Sequence, residues 1–199
     1  MAGQALIVID MQYDFCPGGA LAVAGGDEII SPINRLIARH DHVVLTQDWH
    51  PAGHSSFASS HAGKAPFDMV DMPYGPQTLW PDHCIQGTRG AEFHNGLDWT
   101  KAELVIRKGF RTPIDSYSAF FENDHVTPTG LAGYLRERGL SELTLCGLAT
   151  DFCVAFSAID AVRHGFATTV LLDACRGIDL GGSMAAMTER MKAEGVTLA

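Results

Sequence analysis

Cys146-Gly147-Leu148-Ala149-Thr150-Asp151-Phe152-Cys153-Val154 is the stretch on which the reading of this chain turns. The residues leading into it, Leu143-Thr144-Leu145-Cys146, make a short apolar, β-branched run of the kind found in buried strands. From Val154 to His164 the apolar residues Val154, Phe156, Ile159 and Val162 recur at close to a helical period. Gly147 permits a tight turn from strand to helix. Thr150 is expected to cap that helix, which would put Cys153 in its first turn. Unpaired amide N–H groups and the positive end of the helix dipole gather there, so a thiol is expected to shift towards thiolate. A cysteine on a helix is more often a small core hydrophobe, and the rest of the chain must decide between these readings.

Upstream, Ala5-Leu6-Ile7-Val8-Ile9 is a continuous apolar run without alternation, as in a central parallel strand covered on both faces, and it stops at Asp10. Asp27 to Arg39 reads as a helix that buries Ile29, Ile30, Ile33, Leu36 and Ile37. His42 to Gln47 is a second strand ending at Asp48, and Glu103 to Arg107 a third ending at Lys108-Gly109. A helix from about Thr129 to Arg138 precedes the strand before the Cys153 turn. Phe166 to Leu172 is a fifth strand, Gly182 to Glu194 a last helix, and Val196 to Leu198 a short closing strand. Between Trp49 and Lys101 no long periodic segment appears, and an irregular stretch of that length usually builds a binding site.

Strands alternating with helices predict an α/β fold. The expected architecture is a single domain over residues 1–199, with a mostly parallel central sheet of about six strands and helices on both faces. Ligands in such sheets bind beyond the carboxyl ends of the strands. Asp10, Asp48, Lys108 and the Cys153 turn all fall at those ends.

The 199 residues carry a net charge of −9 and no Lys/Arg cluster, which argues against nucleic acid or an anionic membrane as partner. Five cysteines are an odd number, so a disulfide framework is not expected. The N-terminus lacks the pattern of a secretory leader, and no apolar run approaches the ~20 residues that span a bilayer. A protein of the reducing cytoplasm is the expectation.

Asp10, Lys108 and Cys153 together supply what a nucleophilic thiol site needs. Cys153 would attack, Asp10 would accept its proton and pass it to a leaving amine, and Lys108 would steady the charges. The backbone N–H groups of Ala149 and Cys153 would face a developing oxyanion. A structural ion pair is the plainer reading of Asp10 and Lys108. In a second constellation, Asp48 and His50 lie two residues apart and so face one side of an extended segment, a start for a divalent ion that His54 or His83 could complete. The other histidines read as solvated or packing residues. Phe15, Trp49, Trp80, Tyr117 and Phe120 read first as core, and more sharply as walls for a flat ligand.

Ile9 to Phe15, Asp48-Trp49-His50-Pro51, Trp80-Pro81-Asp82-His83-Cys84, Lys108-Gly109, Asp115 to Phe120 and Gly147 to Val154 follow one another along the chain. In that order they resemble the signatures of nicotinamidases, within the isochorismatase-like cysteine hydrolases. The resemblance implies the isochorismatase-like hydrolase fold and the hydrolysis of nicotinamide to nicotinate and ammonia, with pyrazinamide as an analogue, in NAD salvage. It implies a triad of Asp10, Lys108 and Cys153, a Cys153 thioester, and a cis peptide near Leu148-Ala149 shaping an oxyanion hole. It implies one divalent metal ion per chain, zinc, iron or manganese, held by Asp48, His50 and His83 and taking the pyridine nitrogen. His54 is an extra ligand or lies just behind the ligands, and Phe15, Trp80 and Tyr117 wall the ring. Tyr13 stands where asparagine is common in the family. The rival within the fold is an amidohydrolase of another small amide or isochorismatase itself, relatives that generally lack the metal set. Oligomeric state is left open, a homo-oligomer included.

Overall fold

Five consecutive residues with no room for water on either face make most of the first strand, and the rest of the sheet assembles on it. The computed structural model describes residues 3–199. Strand β1 (Gly3–Ile9) has Ala5 to Ile9 fully buried. It is flanked by β2 (Val43–Asp48) on one side and β6 (Leu140–Leu148) on the other, both parallel to it. With β5 (Leu104–Lys108), β7 (Ala167–Arg176) and β8 (Thr197–Leu198) these form a six-stranded sheet in the order β5-β2-β1-β6-β7-β8. Every pairing in it is parallel. The helices are α1 (Ile30–Arg39), α2 (Leu131–Glu137), α3 (Ala155–Arg163) and α4 (Ser183–Ala193). Helix α1 begins three residues later than the periodicity suggests, after a turn, and Ile29 is buried all the same. No helix among the described residues is long and apolar enough to cross a membrane.

The strand order places the site. From β1 the chain moves outward to β2 and β5, then returns past β1 to β6 and moves the other way to β7 and β8. With right-handed crossovers, that reversal sends helices to opposite faces and opens a crevice between the carboxyl ends of β1 and β6. Asp10 follows β1 and the Cys153 turn follows β6, so both stand at the crevice. The two strands approach closely: Ile9 pairs with Gly147, which has φ +122°, and a Cβ on Gly147 would lie 2.1 Å from the Ile9 carbonyl oxygen. Only glycine fits there.

The irregular segment from Trp49 to Lys101 contains one element that the sequence pattern conceals, a hairpin of β3 (Met69–Met72) and β4 (Gly75–Thr78). Pro73 and Pro76 mask it, because proline enters a sheet only at an edge, and this ribbon has no other strand beside it.

Candidate active site

Asp10, Asp48 and Lys108 are delivered by the ends of strands, and Cys153 by the turn that follows β6. Lys108, the last residue of β5, is 1 % exposed. Its Nζ lies 2.8 Å from Asp10 Oδ2, 3.2 Å from Asp48 Oδ1, 3.0 Å from the Ser116 carbonyl oxygen and 3.5 Å from Cys153 Sγ. Thr46, on β2, locks Asp10: its hydroxyl donates to Asp10 Oδ1 at 2.5 Å and accepts from the Asp10 N–H at 3.1 Å. Among the described residues the Lys108 ammonium is the one cation on Asp10 Oδ2, and the Cys153 thiol also hydrogen-bonds to the Asp10 carboxylate. Gln12 clamps the Asp48 backbone from both sides, donating to its carbonyl oxygen and accepting from its N–H, each at 2.8 Å.

Burial and charge set the protonation pattern. Burial raises the pKa of Asp10 above the ordinary carboxylate value, more than Lys108 pulls it down. Burial opposes ionisation of Asp48 too, but His50 and Lys108 outweigh it and hold its carboxyl well below the usual range. Lys108 is kept charged against the cost of burial by Asp10 and Asp48. Burial pushes the Cys153 thiol well up, and the neighbouring Lys108 only partly offsets it. The expected resting thiolate is therefore corrected. Cys153 lies under cover with two carboxylates nearby, and here the thiol keeps its proton until a base takes it.

The turn around Cys153 also differs from expectation. Thr150–Val154 is a single π-helical turn leading into α3, with the Val154 N–H reaching the Ala149 carbonyl oxygen at 3.1 Å. Thr150 supplies no side-chain cap, and its hydroxyl is buried without a partner. The Leu148–Ala149 peptide is cis.

Asp48, His50 and His83 offer ligand atoms all within 4.8 Å of one another. His50 Nδ1 is 2.8 Å from the Gly109 carbonyl oxygen and His83 Nδ1 is 2.7 Å from that of Pro81. A carbonyl only accepts, so both rings carry a proton on Nδ1 and turn Nε2 inward; against its burial, Asp48 raises the pKa of His50, and a metal would take the place of any proton on that Nε2. Those Nε2 atoms lie 3.0 and 3.4 Å from Asp48 Oδ2, and His50 Nε2 is buried with no hydrogen-bond partner. An orphaned imidazole nitrogen beside a carboxylate and a second imidazole fits a divalent metal with N/O ligands. His83 reaches the site because the extended backbone at His50 pairs with the segment after it, His50 N–H to Cys84 O and Gln86 N–H to His50 O.

His54 falls with His50 and Asp115 in a second group whose ligand atoms lie within 4.8 Å of one another, but its ring nitrogens already have protein partners. Its Nε2 donates towards the carbonyl oxygens of Arg111 and Ile114 at 3.0 and 3.2 Å, and its Nδ1 meets the Ser56 hydroxyl at 2.8 Å and N–H at 3.2 Å. Burial and His50 lower its pKa and keep it neutral. Both nitrogens are used, so the ring instead backs His50, with centroids 4.4 Å apart.

The cavity beside these groups is lined by Phe15, Trp80, Tyr117, Ala149 and Cys153, together with Asp48, His83 and Asp115. Leu21, Phe152 and Ile178 complete its apolar wall and carry no signal in the sequence. Trp49 stacks under Arg107 instead, and Phe120 is core. Thr46, Gln12, Ser116 and the carbonyl groups of Pro81 and Gly109 were also invisible to sequence reasoning. A backbone carbonyl has no residue signature, and Thr46 looks like any β-branched strand residue.

Two variants test this construction. Lys108→Met leaves Asp10 and Asp48 buried without their cation, and the loss of stability is expected to be about 3–5 kcal/mol in denaturant unfolding. That deficit should shrink as pH falls. Burial raises the Asp10 pKa and Lys108 holds it down, so without Lys108 the folded-state pKa of Asp10 rises further than in the wild type, and falling pH favours the folded variant more than the folded wild type. Gly109→Ala places a Cβ at φ +64°, 2.5 Å from His50 Cε1. The ring must move, and metal affinity is expected to fall by about tenfold or more with the sheet intact, read by titration against a chelator.

The family model for the isochorismatase domain matches residues 4–199. The chain is 57% identical over 192 residues to the nicotinamidase of Acinetobacter baylyi, covering 96% of this chain and 90% of that one. It superposes on the structure of an Acinetobacter baumanii nicotinamidase/pyrazinamidase with TM-score 0.98 at 55% identity, covering 100% and 96% of the two chains. A Pyrococcus horikoshii pyrazinamidase solved in complex with zinc aligns with TM-score 0.79 at 36% identity, covering 98% of each.

Proposed function

The chain belongs to the isochorismatase family, and from that premise we propose that it hydrolyses nicotinamide to nicotinate and ammonia, and pyrazinamide likewise. The observation that carries the reading is the meeting, at one crevice, of a buried Asp10–Lys108–Cys153 cluster and a metal-competent Asp48–His50–His83 trio beside an aromatic-walled cavity. Relatives at this level of identity are nicotinamidases. NAD salvage is the consistent role.

In this mechanism Phe15, Trp80 and Tyr117 hold the pyridine ring and exclude water from it. Asp48, His50 and His83 would bind a divalent ion, with zinc the first choice given the zinc-bound relative. When bound there, such an ion would supply a Lewis acid for the ring nitrogen and so help orient the carboxamide. Asp10, kept a stronger base than an ordinary carboxylate by burial, takes the Cys153 proton as Sγ bonds to the amide carbon. The N–H groups of Ala149 and Cys153 receive the oxyanion. Asp10 returns the proton to the amide nitrogen, the C–N bond breaks, and ammonia leaves a thioester on Cys153. Asp10 then takes a proton from water, whose oxygen displaces sulfur, and Cys153 is reprotonated as nicotinate departs. Lys108 balances the charges throughout. The cytoplasm is the compartment we assign, supported by five free cysteines.

The test is ammonia release by the metal-loaded protein from a panel of nicotinamide, pyrazinamide, benzamide and a ureido compound. The pyridine and pyrazine carboxamides should lead by at least about a hundredfold in kcat/KM, because only they carry the ring nitrogen. Equal rates on benzamide would refute the metal's role in orientation. Activity confined to the ureido compound would move the protein to the rival amidohydrolases.

A further inference from the structure

Among the residues of the β3–β4 hairpin, Gln77 alone is buried, at 1 % exposure. It is also the residue that ties the hairpin to the cavity. Its Nε2 lies 3.0 Å from Asp115 Oδ2, 2.9 Å from the Tyr117 hydroxyl and 2.7 Å from the Thr78 carbonyl oxygen. Its Oε1 accepts from the Tyr74 hydroxyl and from Asn123 Nδ2, each at 3.1 Å. This orientation of the amide is the one its surroundings allow. A flipped amide would turn oxygen towards the Asp115 carboxylate and the Thr78 carbonyl, both acceptors. Tyr117 and Asp115 both line the cavity, and Asn123 in turn accepts from the Tyr117 N–H at 3.0 Å. The Ser116 N–H occupies Asp115 Oδ1, and Oδ1 stands 4.0 Å from His50 Nε2. One glutamine thus sets the tilt of the ring wall and the placement of a buried carboxylate beside the metal trio.

We infer that Gln77 is a positioning residue for substrate: through its amide N–H groups it fixes Tyr117 and Asp115 in the geometry that receives the pyridine ring. This rests on the nicotinamide reading of the site. Gln77 touches none of Asp10, Lys108 or Cys153, and meets the bond-making groups only through the carbonyl oxygen of Ser116, the residue between its two partners, which accepts from Lys108. Its loss therefore acts on binding.

Three variants test this. Gln77→Leu keeps the bulk and removes every hydrogen bond. Gln77→Glu keeps an acceptor for Tyr74 and Asn123 but brings no donor to Asp115 or Tyr117. Gln77→Asn keeps the amide on a side chain too short to reach both. All three are expected to raise KM for nicotinamide about tenfold with kcat within about threefold of wild type. Iodoacetamide should alkylate Cys153 at the wild-type rate in the absence of substrate, while protection by nicotinate weakens in step with KM. Should Gln77→Leu fail to fold, the other two carry the test. Wild-type KM in Gln77→Glu would overturn the inference, since the donors would then be dispensable. A joint fall in kcat, alkylation rate and thermal midpoint at unchanged KM would also overturn it, in favour of a scaffold role. Those outcomes presuppose a wild-type protein that turns over nicotinamide. A wild type inert towards nicotinamide overturns the function itself, and this inference with it.

Discussion

Cys153→Ala is expected to lower ammonia release from nicotinamide by about 10⁴-fold or more in kcat while the protein stays folded. The size follows from the chemistry: without Sγ no thioester forms, and the remaining groups can only orient water. The fold survives because the thiol is one of several neighbours of Lys108. The ammonium retains Asp10, Asp48 and the Ser116 carbonyl, so no buried cation is orphaned. Nicotinate should still bind, since the aromatic walls and the metal trio are untouched. Steady-state assay beside a nicotinate-binding titration checks both halves. A variant that kept more than about one per cent of the wild-type rate would make Cys153 a bystander.

The second large effect is on removal of the metal. Stripping with a chelator is expected to cost at least about a hundredfold in kcat/KM, because the ring nitrogen loses its anchor and the carboxamide drifts from Sγ. Restoring a divalent ion should restore activity. His50→Ala should behave as the stripped protein does but should not respond to added metal. His54→Ala separates ligand from support: with both its nitrogens engaged in the 109–115 loop and on Ser56, it should lower stability more than metal stoichiometry. If stripped protein kept full rate at unchanged KM, the Asp48–His50–His83 trio would be structural only.

How much of this could be read from the sequence depends on what kind of atom does the work. The sheet was legible because parallel strands covered on both faces are apolar, as Ala5 to Ile9 is throughout and Leu143 to Cys146 is except at the half-buried Thr144. The convergence of Asp10, Asp48, Lys108 and the Cys153 turn was legible because strand ends in an α/β fold share an edge. His83 was harder, since it arrives through a bridge between His50 and the segment after Cys84 that has no periodic pattern. The choice between His54 and His83 could not be made from spacing. It is made by the carbonyl groups of Pro81, Gly109, Arg111 and Ile114, which turn one Nε2 inward and occupy the other. The protonation of Cys153 was misread for a related reason. A turn at a helix start argues for a thiolate, but burial and the carboxylates beside it decide the balance, and both are tertiary. Gln77 shows the same limit, as a polar residue in a proline-flanked hairpin whose partners lie some forty positions away.

The covalent route through Cys153 is the central claim, and one measurement addresses it directly. Metal-loaded protein is mixed with nicotinamide, quenched in acid within a turnover, and digested for peptide mass analysis. A nicotinoyl group should appear on the peptide carrying Cys153, released by hydroxylamine and absent without substrate. Sustained ammonia release with Cys153 never acylated at any quench time would contradict the account.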